Sequence, residues 1–209
     1  MLSDLAAAYL ADGKLQQALL SFEQAASGIA KQGYPYKHAV QIIPRTIAAY
    51  EAARQYDKAV AWRRKWLPIV KQGAGPDSLV YACETASLGM DLIRQNKYSD
   101  AEATLRDSLE LHEKLLIGQK AASWRVAWVK SVLGEAILRL MRPAEAEPLL
   151  VAGYEGLRQD AAAIPEADRQ DRLSEAIQRL IDLATATDRP DEVKKWQTER
   201  AKYPSTKKN

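Results

Sequence analysis

Along this chain of 209 residues, apolar positions recur at steps of three and four, and alternation with a period of two is nearly absent. Steps of three and four stack side chains on one face of a helix, whereas a half-buried strand needs a period of two. Ala and Leu dominate the periodic stretches, Phe occurs once, and Gly and Pro cluster between them. The pattern predicts an all-α protein. The stretch NKYSDAEATLRDSLELHEKL, Asn96 to Leu115, is typical: a polar start, then one amphipathic helix.

Aligning the helix starts exposes a repeat. GKLQQALLSF, RQYDKAVAWR, NKYSDAEATL, MRPAEAEPLL and DRPDEVKKWQ share a turn, a polar or Pro start, a small residue and an apolar stripe. The small residues are Ala18, Ala59, Ala101, Ala146 and Val193, at spacings of 41, 42, 45 and 47. Before them come Leu5-Ala6, Thr46-Ile47, Leu88-Gly89, Leu133-Gly134 and Leu180-Ile181, and then Tyr9, Tyr50, Leu92 and Ile137 in four of the five units. Each unit is expected to be two helices joined by a short turn, with small residues meeting at the crossing and larger ones interdigitating around it. One pair cannot bury both of its apolar faces, so pairs are expected to stack. Pro143 and Pro190 fall where a helix begins, a position that tolerates a missing N–H. Asp57, Ser99 and Asp191 are placed to supply caps or first-turn acids. Pro44, Pro68 and Pro148 fall inside or near helices, where irregular curvature is expected.

This register resembles the tetratricopeptide repeat: Leu5, Ala6, Tyr9, Gly13, Ala18, Phe22 and Ala25 in the first unit, Leu88, Gly89, Leu92, Tyr98, Ala101 and Leu105 in the third, and Leu133, Gly134, Ile137, Ala146 and Leu150 in the fourth. Units two and five depart from it, with Arg63 and Gln197 where the second helix carries its aromatic. A period near 42 is similar to the longer, kinesin-light-chain-like variety. The chain also resembles the C-terminal region of large planctomycete-type bacterial repeat proteins, in many of which a serine/threonine kinase domain precedes the repeats. No kinase motif occurs here. The resemblance implies a right-handed superhelical α-solenoid of about five helix pairs. The expected repeats are 1–33, 38–73, 77–117, 121–158 and 168–203, in a single domain 1–209 that ends in a disordered basic tail, 204–209. Met1 would lie almost inside the first helix, as in an excised fragment or a short, frayed start.

Composition narrows the function. The net charge is +3, but Lys194 to Asn209 carry six Lys and Arg against Glu199 alone, so the rest of the chain is slightly acidic. Nucleic-acid binders show a basic stripe on the folded body, and none is expected here. No apolar run approaches a membrane span, no signal peptide is present, and one cysteine fits a reducing, cytoplasmic setting. His38, expected in a loop, and His112, late in a helix where a cation suits the dipole, have no Cys or carboxylate at metal-ligand spacing. Cys83 reads as a small core or groove residue. No metal, no cofactor and no catalytic residue is expected, and the chain is read as a non-enzyme.

The resemblance implies that the first helix of each pair lines a concave groove. Its expected partner-binding positions are Arg45, Met90, Arg94, Trp128, Glu135, Arg139 and Arg179. Arg forks suit carboxylates, so an acidic extended peptide is the expected partner, bound by a monomer or weak dimer. Trp62/Trp66 and Trp124/Trp128, each four apart, are either packing between repeats or aromatic anchors, with Trp128 the best anchor. Kinesin-light-chain-like repeats carry a backbone-clamping Asn just before the Leu-Gly pair. Here Asp4, Arg45, Ser87, Val132 and Arg179 stand there. The expected function is a protein-interaction scaffold. The alternative is a structural capping or self-association module of a larger signalling protein.

Overall fold

The computed structural model describes residues 2–31, 33, 35–118 and 123–204, the side chains of 2, 3, 10 and 30 excepted. The expected tail therefore lies, but for Pro204, outside the described residues. Ten α-helices and no strand occur among the described residues: α1 Leu2–Ala11, α2 Leu15–Ala30, α3 Tyr36–Ala52, α4 Tyr56–Gly73, α5 Leu79–Arg94, α6 Tyr98–Leu115, α7 Ser123–Arg139, α8 Pro143–Gln159, α9 Glu166–Ala186 and α10 Pro190–Arg200. A 3₁₀ turn, Ala161–Ala163, precedes α9. His38 falls in the first turn of α3 and not in a loop.

The helices form two compact units, residues 1–96 with α1–α5 and residues 97–209 with α6–α10. Within each unit every helix packs on the next, and in the second α7 also meets α9. The first core gathers Phe22, Ile43, Ile47, Tyr50, Trp66 and Val70. The second unit buries Leu105, Leu133, Ile137, Leu150, Leu157 and Leu173. Side chains of this size, fully buried, each contribute about 1.5–3 kcal/mol.

Small residues set the approach of α7 and α8. A Cβ on Gly153 would lie 2.7 Å from the Ser131 nitrogen, and one on Gly156 2.6 Å from the Ala127 Cβ. Gly134 meets Leu150 at the same short range, so there a small residue receives a large one, where small was expected to meet small.

The turn inside each pair is the most regular feature of the chain. Five residues before each small residue, Gly13, Arg54, Asn96, Met141 and Asp188 all have positive φ, between 53° and 71°. The following amide reaches back five residues: Lys14 to Tyr9, Gln55 to Tyr50, Arg142 to Ile137 and Arg189 to Ala184. Arg54, Asn96, Met141 and Asp188 themselves donate to the carbonyl three back. These are the paired bonds of a Schellman cap, which satisfy the last carbonyls of the first helix. The second helix then starts without a side-chain cap: Lys14, Gln55, Lys97, Arg142 and Arg189 hold the N-cap position and none accepts from the helix. Ser99 is therefore not the cap of α6, whereas Asp57, Asp100, Glu145 and Asp191 are first-turn acids that suit the dipole. Pro143 and Pro190 sit in the first turns of α8 and α10. The helices α3, α4 and α8 run on through Pro44, Pro68 and Pro148.

Met141 has φ 60° and an 84% exposed side chain, so it is strained without packing to offset the strain. Met141→Gly is expected to raise stability by about 0.5–1 kcal/mol, the left-handed strain relieved less the entropy that Gly adds to the unfolded chain. Ala152→Gly, on the exposed face of α8, should lower it by about as much. Urea unfolding of the two variants checks both signs.

Candidate functional site

In the first unit the polar chemistry gathers on Arg63. This residue occupies the register held by Phe22 in α2, and its side chain is buried. An arginine can sit there only if its charge is met. The Arg63 Nε donates to Asp91 at 3.0 Å, one terminal nitrogen donates to Glu84 at 2.5 Å, and the other to Glu51. One guanidinium on α4 thus joins α3 and α5. Burial opposes its charge, but Glu84, Asp91 and Glu51 outweigh that and hold it protonated, above the usual arginine range. Asp91 is wholly buried and also meets Arg94 at 3.3 Å. Burial pushes its carboxyl up to about 6, helped by the nearby Glu51 charge and opposed by Arg63 and Arg94. Three carboxylates share one guanidinium, so Arg63 offsets the burial of Asp91 only in part.

Of the expected groove residues in this unit, Arg45 is exposed on α3 and Met90 half-buried on α5. Arg94 lies 5.3 Å over the Tyr56 ring. The aromatic pair of α4 is packing: Trp62 and Trp66 are buried, and Trp66 stacks on Tyr36 at 5.9 Å.

In the second unit α7 and α9 bring the other expected residues together. Arg179, 7% exposed, donates to Glu135 at 2.6 Å and to Ser131 at 3.3 Å. Arg139 meets Asp182 at 3.3 Å, and Gln178 donates to the same carboxylate at 2.7 Å. Trp128 is buried beneath the Arg172 guanidinium, 4.6 Å above its ring, and Arg172 also lies 5.1 Å from Trp124. Arg125 covers Trp124 at 4.4 Å. The two tryptophans are a platform for arginines and not themselves exposed anchors.

Sequence reasoning marked Arg63 only as a break in the aromatic pattern, and it missed Arg125 and Arg172. For Arg63 a signal existed, a charge at a register that is apolar in α2, α6 and α8. The arginines on Trp124 left no comparable mark, because Arg172 reaches it from another helix. His112 corrects the expected cation. It is wholly buried, its Nδ1 lies 2.8 Å from the Ser108 carbonyl as a donor, and burial pushes its pKa down, so the ring is neutral. Among the described residues no group of three or more His, Cys, Asp or Glu could hold a metal ion, and no helix is long and apolar enough to cross a membrane.

Arg63→Met would strand buried carboxylates and is expected to cost about 3–5 kcal/mol in urea unfolding, with part regained in the Arg63→Met/Asp91→Asn double variant. Asp91 also gives a pH signature. Its folded pKa, about 6, lies above the ordinary carboxylate value, so its stabilising contribution is full below pH 4 and lost as pH rises through 6. The stability of the wild type relative to Asp91→Asn is therefore expected to fall between pH 4 and pH 7. Thermal melts across that range check it, and carbon-detected NMR titration reads the Asp91 midpoint directly.

Comparison with known proteins agrees with this architecture. Residues 86–116 match the tetratricopeptide repeat family. The crystal structure of BtubC (BKLC) from P. vanneervenii superposes with a TM-score of 0.72 at 19% identity, covering 100% of this chain and 83% of that one. Two structures of a Podosopora anserina kinesin-light-chain-type protein with nearly identical tetratricopeptide-like repeats follow. They have TM-scores of 0.64 and 0.59, each at 17% identity, and cover 96% and 95% of this chain and 95% and 94% of theirs. No curated protein matches the chain. At these identities the likeness is one of fold: the chain is an all-α repeat solenoid, with a tetratricopeptide-repeat match over residues 86–116.

Proposed function

We propose that this chain is a non-catalytic protein-interaction scaffold and that α7 and α9 receive an acidic, extended segment of a partner protein. One observation carries the reading. The Arg125 guanidinium lies on the Trp124 ring and makes no ion pair with a described residue, while Arg172, paired with Asp168 at 3.7 Å, spans Trp124 and Trp128 beside it. Guanidinium groups held over aromatic rings are ordered before a ligand arrives, so less entropy is lost when carboxylates dock. The expected groove residues divide into two roles. Glu135 and Arg179 are bound to each other and space the helices. Arg139, whose side chain is half exposed, joins Arg125 and Arg172 as a contact for the partner.

Selection from a displayed library of short random peptides tests the proposal. Acidic sequences are expected to be recovered, their binding to weaken with salt, and Arg125→Glu/Arg172→Glu to reduce affinity at least tenfold, about 1.4 kcal/mol. The milder Arg125→Gln, at a partly exposed position, should give a smaller loss with the fold intact by circular dichroism. Recovery of peptides without acidic bias, or equal binding by the charge-reversed variant, would overturn it.

A further inference from the structure

A second polar site lies away from the α7–α9 face. A cavity of about 320 Å³ opens between α9 and α10, lined by Ser174, Ile181, Gln197, Arg200 and Tyr203 among others. Its polar corner is built around Arg200, whose Nε donates to the Ser174 hydroxyl oxygen at 3.3 Å and whose terminal nitrogen donates to the Gln178 side-chain carbonyl. Both acceptors are neutral. Two acids of α9 and α10 are engaged elsewhere: Glu199 accepts from Lys202 at 2.6 Å and from the Tyr154 hydroxyl at 2.9 Å, and Asp182 is held by Arg139 and Gln178. Among the described residues no carboxylate lines the cavity. Ser174 is 3% exposed, and no described residue accepts its hydroxyl hydrogen. Ile181, Ala201 and Pro204 supply apolar lining, together with Tyr203.

We propose that this cavity binds a carboxylate carried on an apolar body. The carboxylate would take the free Arg200 N–H groups and the Ser174 hydrogen, and the apolar part would lie on Ile181. A charge-assisted pairing is the strong kind of hydrogen bond, and a concave site that sets a few convergent polar groups beside apolar side chains is the usual form of a small-ligand site. The cavity is too small for a folded partner. The carboxylate would come from a free short-chain acid or from the end of a peptide.

NMR titration of the full chain distinguishes the two sources. Hexanoate is one probe, and an acetylated Ala-Leu-Leu peptide with a free C-terminus is the other, with its C-terminal amide as control. Saturable shifts at the Ser174, Ile181, Gln197 and Tyr203 amides and at the Arg200 Nε–H are expected for at least one acid and not for the amide. Arg200→Gln, at an exposed position, should weaken binding at least tenfold, and Ser174→Ala should weaken it several-fold. Absence of shifts with both acids, equal shifts with the amide, or undiminished binding by Arg200→Gln would overturn the proposal. The α7–α9 variant Arg125→Gln should leave these shifts unchanged, which separates this site from the proposed partner surface.

Discussion

A helix hairpin can bury both of its apolar stripes only if the chain reverses within a few residues and leaves no carbonyl stranded at the bend. Every pair in this protein places its bend on one residue in the left-handed region, at a constant distance from the small residue of the second helix. Within each unit, the register of a pair's crossing follows from its bend. It fixes how far the second helix is advanced, and therefore which side chain opposes which. The constraint is met by Gly once and by Arg, Asn, Met and Asp elsewhere, so four of the five turns hold strain against the packing they permit.

Within that frame, each unit carries a buried arginine where the repeat pattern has none. Arg63 ties α3, α4 and α5 through three carboxylates, and Arg179 ties α9 to α7 through Glu135 and Ser131. Such clusters add little net stability over a well-packed apolar core, because desolvating the charges offsets most of the attraction. Their effect is on specificity. An apolar stripe tolerates sliding by a turn, whereas a guanidinium matched to carboxylates on two other helices has one position in which every charge is met. Asp91 shows the limit of the arrangement, since burial leaves it short of the pairing it would need to ionise at the ordinary carboxylate pH.

The surface chemistry follows from what these clusters consume. Arg179 and Glu135, expected groove residues from the repeat register, are paired with each other. Two cations of the second unit are anchored by stacking or by neutral oxygens, Arg125 on Trp124 and Arg200 on Ser174 and Gln178.

The three- and four-residue periodicity determined the helices, and the recurrence of small residues determined their pairing. Both are local: an amphipathic stripe and a helix-ending turn are written in consecutive residues. The expected starts at Pro143 and Pro190 needed little more, whereas the four-residue spacing of the tryptophan pairs left packing and anchoring both open. What only the tertiary structure decided is which polar side chains remain available. The neutrality of His112, the division of Arg179 from Arg125, and the trio of acids around Arg63 depend on groups 12 to 48 residues apart meeting in a low-dielectric interior. No local pattern encodes such a meeting, because the energy of a charge depends on every element packed against it.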